Sequence, residues 1–433
     1  MRILVLGAAV SGLAAARLAR RLGHSVTIYD ERAESLVAAG TEGFSTIAGA
    51  WDPITLHGVD LVVTSPGIPE RSRPIVETLE SGLALWGEIE FAWRQLEGLP
   101  VAAITGTNGK TTVTQLIADM LVASGVDARP LGNIGTPLAD AVGTDLQVAV
   151  VEVSSFQLHY SDRFRPDVAV VTNVAPDHLD WHGSFDRYLE AKARIVANQG
   201  GADLLVFCSD DGGARRVAER APGRRIGVGS SGVSDDGYGI DRLAGRMALG
   251  GWSIELDRLQ VSDDAFLVDL ALAAAAAEAI GGDADAIRGV IEGFTPGAHR
   301  RTVVGEIDGV RFVDDSKATN PHAALAAIRS YSSVVLIAGG LAKGLDVAPL
   351  AVEPNVRAVI AIGEAAPVLL SAAGDRGVSA SSMGEAVAEA CAVAERGDVI
   401  LLAPGCASFD MFDSYGHRGD VFAAEVAARG GRS

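Results

Sequence analysis

Lysine is scarce in this chain of 433 residues. Only four occur, Lys110, Lys192, Lys317 and Lys343, and the rest of the 36 basic residues are arginines. Arginine serves wherever a surface positive charge suffices. A lysine kept against that bias points to a place needing a compact ammonium or a nucleophilic amine. Cysteine is scarcer still. Cys208, Cys391 and Cys406 are far apart and odd in number, which excludes a disulfide framework and a zinc site and suits a reduced, cytoplasmic compartment. Positive charge is also short: 36 basic residues face 55 acidic ones, a net charge of −19. Nucleic-acid binding needs a basic surface and is excluded on that ground. Outside the alanine-rich segment near 271–279, bounded by Asp269 and Glu278, no apolar run reaches the ~18 residues of a membrane span. The apolar start of the chain is broken by Gly7 and by Ser11-Gly12, so it reads as a strand and turn rather than a signal peptide.

Apolar residues make up 48% of the chain and charged residues 21%. That is ample for packed cores and excludes a disordered chain. At ~150 residues per domain the length predicts about three domains. Residues 2–6 read as a strand, 13–22 as a helix stopped by Gly23, and 25–29 as a second strand ending at Asp30, which makes a βαβ opening. Another strand, 59–64, runs into the turn Ser65-Pro66-Gly67-Ile68-Pro69, and 88–96 read as a helix. A linker at 97–100 closes a first domain, 1–97. The second, 98–296, opens with a strand at 101–105, a glycine-rich loop and a helix at 112–123. It continues with strands at 148–153, 168–171 and 204–208. Residues 227–251 read as irregular loops with short strands, and 266–280 as a buried helix. After a linker at 293–297, the third domain, 297–433, opens with a hairpin, 302–307 and 310–313. Its Asp308-Gly309 joint favours a tight type I′ turn. Strands at 334–338, 358–362 and 399–403 alternate with helices there. The fold class is α/β in three blocks.

Two glycine loops carry the chemistry. Gly7-x-Ala9-x-x-Gly12, with Asp30 some twenty residues on, approximates a dinucleotide fingerprint, although alanine stands where the second glycine should be. Its amides at a helix start suit a diphosphate. A nucleotide diphosphate and NAD, its ribose on Asp30, are the rival ligands. The second loop, Ile104-Thr105-Gly106-Thr107-Asn108-Gly109-Lys110-Thr111-Thr112, lies between a strand and a helix. Amides of Gly106, Thr107, Asn108, Gly109 and Lys110 can cradle a triphosphate, the Lys110 ammonium can neutralise it, and the Thr111 hydroxyl can hold Mg²⁺. Ile104 replaces the first glycine of the general phosphate loop.

With this variant loop the chain resembles the Mur ligases, ATP-dependent amino-acid-adding enzymes of peptidoglycan synthesis. Further motifs fit in order: Gly132-Asn133-Ile134-Gly135, Glu152 to Leu158, Asn173 to Asp180, and Asp315-Ser316-Lys317-Ala318-Thr319-Asn320. The last, with 152–158, looks most like the D-glutamate-adding branch. The resemblance spans nearly the whole chain. It implies a Rossmann-like N-terminal domain binding a UDP substrate, a phosphate-loop central ATPase domain, and a Rossmann-like C-terminal domain binding an amino acid. The implied reaction joins D-glutamate to UDP-N-acetylmuramoyl-L-alanine through an acyl phosphate, in cytoplasmic cell-wall precursor synthesis, by a monomer.

The resemblance also implies roles. ATP falls to 106–112, including Thr112, with Arg300 on the phosphates and Asp315 on the ribose. The neighbouring Arg301 leaves the Arg300 register open. Mg²⁺, two ions, falls to Thr111, Glu152, His178 and Lys192, the lysine carrying a carbamate formed from CO₂. Lys110, Glu152, His178, Lys192 and Lys317 form the catalytic set. Val10, Ser11, Asp30, Glu31, Ser65 and Gly67 line the UDP pocket, with Asn133 and Ser154 on the same substrate. Lys317, Thr319, Lys343, Ser408, Phe409 and Tyr415 take the amino acid. All four lysines thus fall in motifs. The two linkers suggest that the third block closes on the second when ATP binds.

One departure stands out. The family carries an adenine-contacting asparagine where this chain has Phe266-Leu267-Val268-Asp269, and Asp269 is the available acceptor. Among competing readings, other Mur ligases and folylpolyglutamate synthetases share the phosphate loop but differ in the third block. An NAD-dependent oxidoreductase would leave that loop, Lys192 and Lys317 without work. A nucleotide-dependent regulator would not need all four lysines.

Overall fold

The computed structural model describes residues 1–96 and 98–431. Glu97, at the expected first boundary, and Ser433, at the end of the third block, lie outside the described residues. The chain packs as two compact units: 1–174 with 186–294, and 175–185 with 295–433.

The first unit contains two parallel sheets and a small antiparallel one. Strands β1 (Arg2–Leu6), β2 (Ser25–Asp30), β3 (Ser45–Ala48), β4 (Leu61–Thr64) and β5 (Ala84–Gly87) lie in the order β3-β2-β1-β4-β5, every neighbouring pair parallel. Residues 3–6 are all buried, as expected of a central strand covered on both faces. The strand order reverses between β1 and β4. The loops leaving their carboxyl ends therefore diverge and open a crevice there.

The second sheet has β6 (Val101–Thr105), β7 (Ala128–Gly132), β8 (Val148–Glu152), β9 (Val168–Val171), β10 (Leu204–Cys208) and β11 (Arg224–Val228) in the order β11-β10-β9-β6-β8-β7. β6 is buried throughout, and the glycine loop leaves its carboxyl end between those of β8 and β9. The helix Lys110–Ala123 follows at once, two residues earlier than expected from sequence. The helix Asp264–Ala279 packs on it, its run Ala273 to Ala277 buried.

Residues 227–251 are more regular than their glycine and serine content implied. With 252–255 they build the three-stranded antiparallel sheet β12 (Tyr238–Asp241), β13 (Arg246–Leu249) and β14 (Trp252–Glu255). Ile240, Met247, Leu249 and Ile254 enter the core beside the second sheet. Glycine turns separating four-residue strands hide the alternation that marks longer ones.

The N-terminal sheet is keyed to the second by the short helix Glu88–Trp93. The buried Glu90 carboxylate accepts the N–H groups of Asp162, Arg163 and Phe164 and the Arg94 guanidinium. Glu88 Oε1 accepts the Ala139 N–H at 2.7 Å.

The second unit holds β15 (Thr302–Ile307), β16 (Val310–Asp314), β17 (Val334–Gly339), β18 (Val356–Ile362), β19 (Gly377–Ser379) and β20 (Val399–Leu402), ordered β15-β16-β20-β17-β18-β19. β15 alone runs antiparallel to its neighbour. Its turn has Asp308 at φ 52° and Gly309 at φ 81°, as a type I′ turn demands. Loops 315–320, 403–409 and 340–344 leave the carboxyl ends of the adjacent strands β16, β20 and β17.

Candidate active site

The phosphate loop is held open by the segment that follows β9. The Asn173 side chain accepts the Asn108 N–H at 2.9 Å and donates to the Asn108 carbonyl at 3.1 Å, while the Thr107 N–H donates to the Asn173 carbonyl at 2.8 Å. Thr107 Oγ1 and the Tyr188 hydroxyl lie 3.1 Å apart. Gly109 caps the following helix at φ 81°, a left-handed conformation that glycine adopts without steric cost. A Cβ there would also meet the Asp269 carboxylate at 2.7 Å. Asp269 thus borders the loop. Lys110 Nζ donates to the carbonyls of Gly106 and Thr107 at 2.9 and 3.0 Å, within reach of any anion seated on the loop. Thr112 lies in the first turn of the same helix.

Glu152 ends β8 and is buried. Its Oε2 accepts the Thr111 hydroxyl at 2.9 Å and its Oε1 the Asn133 amide at 2.8 Å. A buried carboxylate and a hydroxyl beside a phosphate cradle are hard oxygen donors, and they fit Mg²⁺, which keeps waters and takes phosphate oxygens for its remaining positions. Among the described residues no three His, Cys, Asp or Glu side chains cluster as an all-protein metal cage.

Lys192 is no surface lysine. It lies on the helix Phe185–Ala197, 1% exposed. Its Nζ donates to the Gly106 carbonyl at 2.6 Å and lies 4.7 Å from the centre of the Tyr188 ring. The apolar stem is covered and the amine meets the first glycine of the phosphate loop.

Val10, Ser11, Asp30, Glu31, Ser65 and Gly67 all line one cavity of about 740 Å³ at the crevice between β1 and β4. Tyr29, Arg32, Trp51 and Arg73 line it too and were missed. A Cβ at Gly12 would lie 1.9 Å from the Gly7 carbonyl oxygen, so this glycine lets helix and strand approach. Asp30 accepts the N–H groups of Ala8 and Arg32, both at 3.0 Å, and so braces the loop itself. Asn133 and Ser154 are not in that cavity. Asn133 sits on Glu152, and Ser154 caps the helix Ser155–His159 in a capping box with Gln157.

In the second unit His178 holds a left-handed backbone, φ 51°, with its N–H on Asp177 Oδ1 at 2.9 Å. Asp177 Oδ2 also accepts the Asn320 amide at 3.3 Å. Asp315 is buried, and burial pushes its carboxyl up to about 6 against the opposing pull of Arg301. The Arg301 N–H donates to Asp315 Oδ1 at 3.2 Å, and its Nε lies 4.0 Å from Oδ2. Arg300 is half-buried between two left-handed residues, His299 at φ 60° and Arg301 at φ 52°. Two arginines share the segment, and Arg301 holds Asp315.

Lys317 Nζ lies 5.2 Å from the centre of the Tyr415 ring. Thr319 is half-buried two residues on, and its N–H donates to the Lys317 carbonyl at 2.8 Å. Lys343 is left-handed at φ 52°. Its loop is paired to the next one through Leu341 and Ala407, at 2.9 and 3.0 Å. Ser408 is buried, Phe409 is 69% exposed and Tyr415 38%. Tyr188 and Arg418 fall in no motif, and Asn173 opens one without an assigned role; each acts on a loop distant in the chain.

Family models match three stretches: "Mur ligase MurD-like, N-terminal domain" at 1–87, "Mur ligase middle domain" at 104–256 and "Mur ligase, glutamate ligase domain" at 299–406. A UDP-N-acetylmuramoylalanine–D-glutamate ligase of Frankia casuarinae is 43% identical, over 99% of this chain and 94% of its own. One of Pelotomaculum thermopropionicum is 39% identical, over 97% and 96%. The solved pseudomurein peptide ligase type C of Methanothermus fervidus shares the fold at a TM-score of 0.61 and 18% identity, over 99% of both chains.

Proposed function

Because the chain belongs to the Mur ligase family, we propose that it joins D-glutamate to UDP-N-acetylmuramoyl-L-alanine at the expense of ATP. The observation that carries the chemistry is the Thr111–Glu152 pair beside the phosphate loop. The acceptor follows the names of full-length relatives.

Amide formation needs an activated carboxyl. The γ-phosphoryl group passes to the substrate carboxylate, giving an acyl phosphate and ADP. The amine of D-glutamate attacks the carbonyl carbon, loses a proton, and phosphate leaves. Such transfer asks for positioning and charge neutralisation. The amides of 106–110 seat the phosphates, and Lys110 exchanges its two loop carbonyls for phosphate oxygens. Thr111 and Glu152 would hold Mg²⁺, which supplies charge neutralisation on the phosphates when bound. Asn133 keeps the Glu152 carboxylate oriented. Lys192, as an amine that takes up CO₂ and releases a proton, becomes a carbamate and an anionic metal ligand. His178 is proposed as a metal ligand in its own right. The cavity at β1 and β4 takes the uridine diphosphate. Arg300 takes ATP phosphates and Asp315 the ribose, while Lys317, Thr319, Lys343, Ser408, Phe409 and Tyr415 take the amino acid.

The proposed domains are 1–97, 98–296 and 297–433, in a cytoplasmic monomer. No helix among the described residues is long and apolar enough to cross a membrane.

Phosphate release is the test, with ATP, Mg²⁺, the UDP substrate and a panel of amino acids in parallel. Release requiring both the UDP substrate and D-glutamate supports the proposal. Release with another amino acid moves the branch, and none with any acceptor overturns the ligase.

A further inference from the structure

The largest fully buried side chain among the described residues is a cation. Arg418, on the helix Tyr415–Ala428, is 1% exposed. Its Nε donates to Ser316 Oγ at 2.9 Å, one terminal nitrogen to the Ser316 carbonyl at 2.8 Å, and the other to the Cys406 carbonyl at 3.1 Å. All three acceptors are neutral. Burial pulls the guanidinium down to about 10, with Asp410 and Asp314 opposing the fall, so it stays charged at neutral pH. Burying a charge without an ion pair is costly, and two carbonyls and a hydroxyl could be satisfied more cheaply by neutral donors.

The segments it ties are those proposed to hold the amino acid. Ser316 precedes Lys317, and its hydroxyl also donates to the Tyr415 carbonyl at 2.8 Å. Cys406 precedes Ser408 by two residues, and Ala407 between them pairs with Leu341, next to the Lys343 turn. One planar fork therefore joins the loops after β16 and β20 and, through them, the loop after β17. Its rigid geometry matches three fixed acceptors in a way that a lysine ammonium does not. Its charge lies beneath loops meant for an anionic ligand.

We propose that Arg418 is a positioning residue for the amino-acid substrate: it sets the spacing of the Lys317 and Ser408 loops and biases them toward an acidic amino acid. This rests on the reading above that those loops take D-glutamate. The test is steady-state kinetics of Arg418→Lys beside the wild type. The expected result is a KM for D-glutamate raised about tenfold or more, with KM for ATP and for the UDP substrate within about twofold. Guanidinium added to Arg418→Ala should lower the D-glutamate KM again. A folded Arg418→Lys with an unchanged D-glutamate KM, or with all three constants raised alike, overturns the proposal. If Arg418→Lys does not fold, Ser316→Ala removes one acceptor, and absence of the same KM split there overturns it. A wild type that turns over while the variants show no split defeats this proposal alone. A wild type inactive with every amino acid defeats the functional reading and this proposal together.

Discussion

The Thr111 hydroxyl donates to Glu152 Oε2 at 2.9 Å, and the Asn133 amide occupies the other oxygen at 2.8 Å. A carboxylate so held sits beside the phosphate loop, where a hard cation would take it as a ligand. Glu152→Gln keeps the shape and removes the charge. It should raise the Mg²⁺ concentration needed for half-maximal activity and lower kcat by about 10²-fold or more. A Mg²⁺ titration of phosphate release that overlays the wild type would remove Glu152 from the metal site.

Lys192→Ala should lose about 10²-fold or more of the activity, since it removes the anionic ligand proposed there. A short carboxylic acid in solution should restore part of it by replacing the carbamate, and bicarbonate should not. The variant also removes the 2.6 Å bond to the Gly106 carbonyl, which keeps its Lys110 donor at 2.9 Å, so stability should fall by only about 0.5–1.5 kcal/mol. Full activity in the variant would end the carbamate role.

Gly109→Ala carries two separable penalties. The left-handed backbone at φ 81° costs a residue with a Cβ roughly 1–2 kcal/mol, and the new Cβ meets the Asp269 carboxylate at 2.7 Å. The KM for ATP should rise about tenfold. Adding Asp269→Ala should recover part of the loss, because only the contact is relieved. Calorimetric ATP binding equal in wild type and Gly109→Ala would contradict both penalties.

Glu88 makes stability depend on pH. It is 1% exposed; Oε1 accepts the Ala139 N–H and Oε2 has no hydrogen-bond partner. Burial pushes its carboxyl from 4.5 up to about 7, against the Ala139 bond. A raised acid favours folding while protonated. Below the unfolded value both states hold the proton. As pH rises from 4.5 to about 7 the unfolded chain ionises first, and stability falls by up to about 3 kcal/mol. Glu88→Gln should remove that loss. Urea midpoints at about pH 5 and about pH 8 should lie closer together in the variant, and an unchanged difference would reject the assignment.

Much of the site was legible because its chemistry is local. A phosphate loop is a strand end, a glycine-containing turn and a helix start within nine residues, and each part follows from short-range conformational preference. The six residues expected at the N-terminal cavity all line it, since they end two strands whose βαβ connection fixes them on one edge. Asn133 and Ser154, expected on the same substrate from two other motifs, lie outside that cavity, just past the ends of β7 and β8. Residues 227–251 looked irregular because four-residue strands between glycines carry too few alternations to read.

Sequence by itself determined the α/β alternation, both glycine loops, and the placing of all four lysines in motifs, since these depend on residue type and on spacing along the chain. Tertiary structure alone decided what those lysines and their supports touch. The Lys192 amine reaches a carbonyl 86 residues away, and Arg418 a serine 102 residues away. Contacts of that span exist only once parallel strands have brought their carboxyl ends to one edge. There, exclusion of water turns a lone lysine into a buried amine and a helical arginine into the tie between two loops.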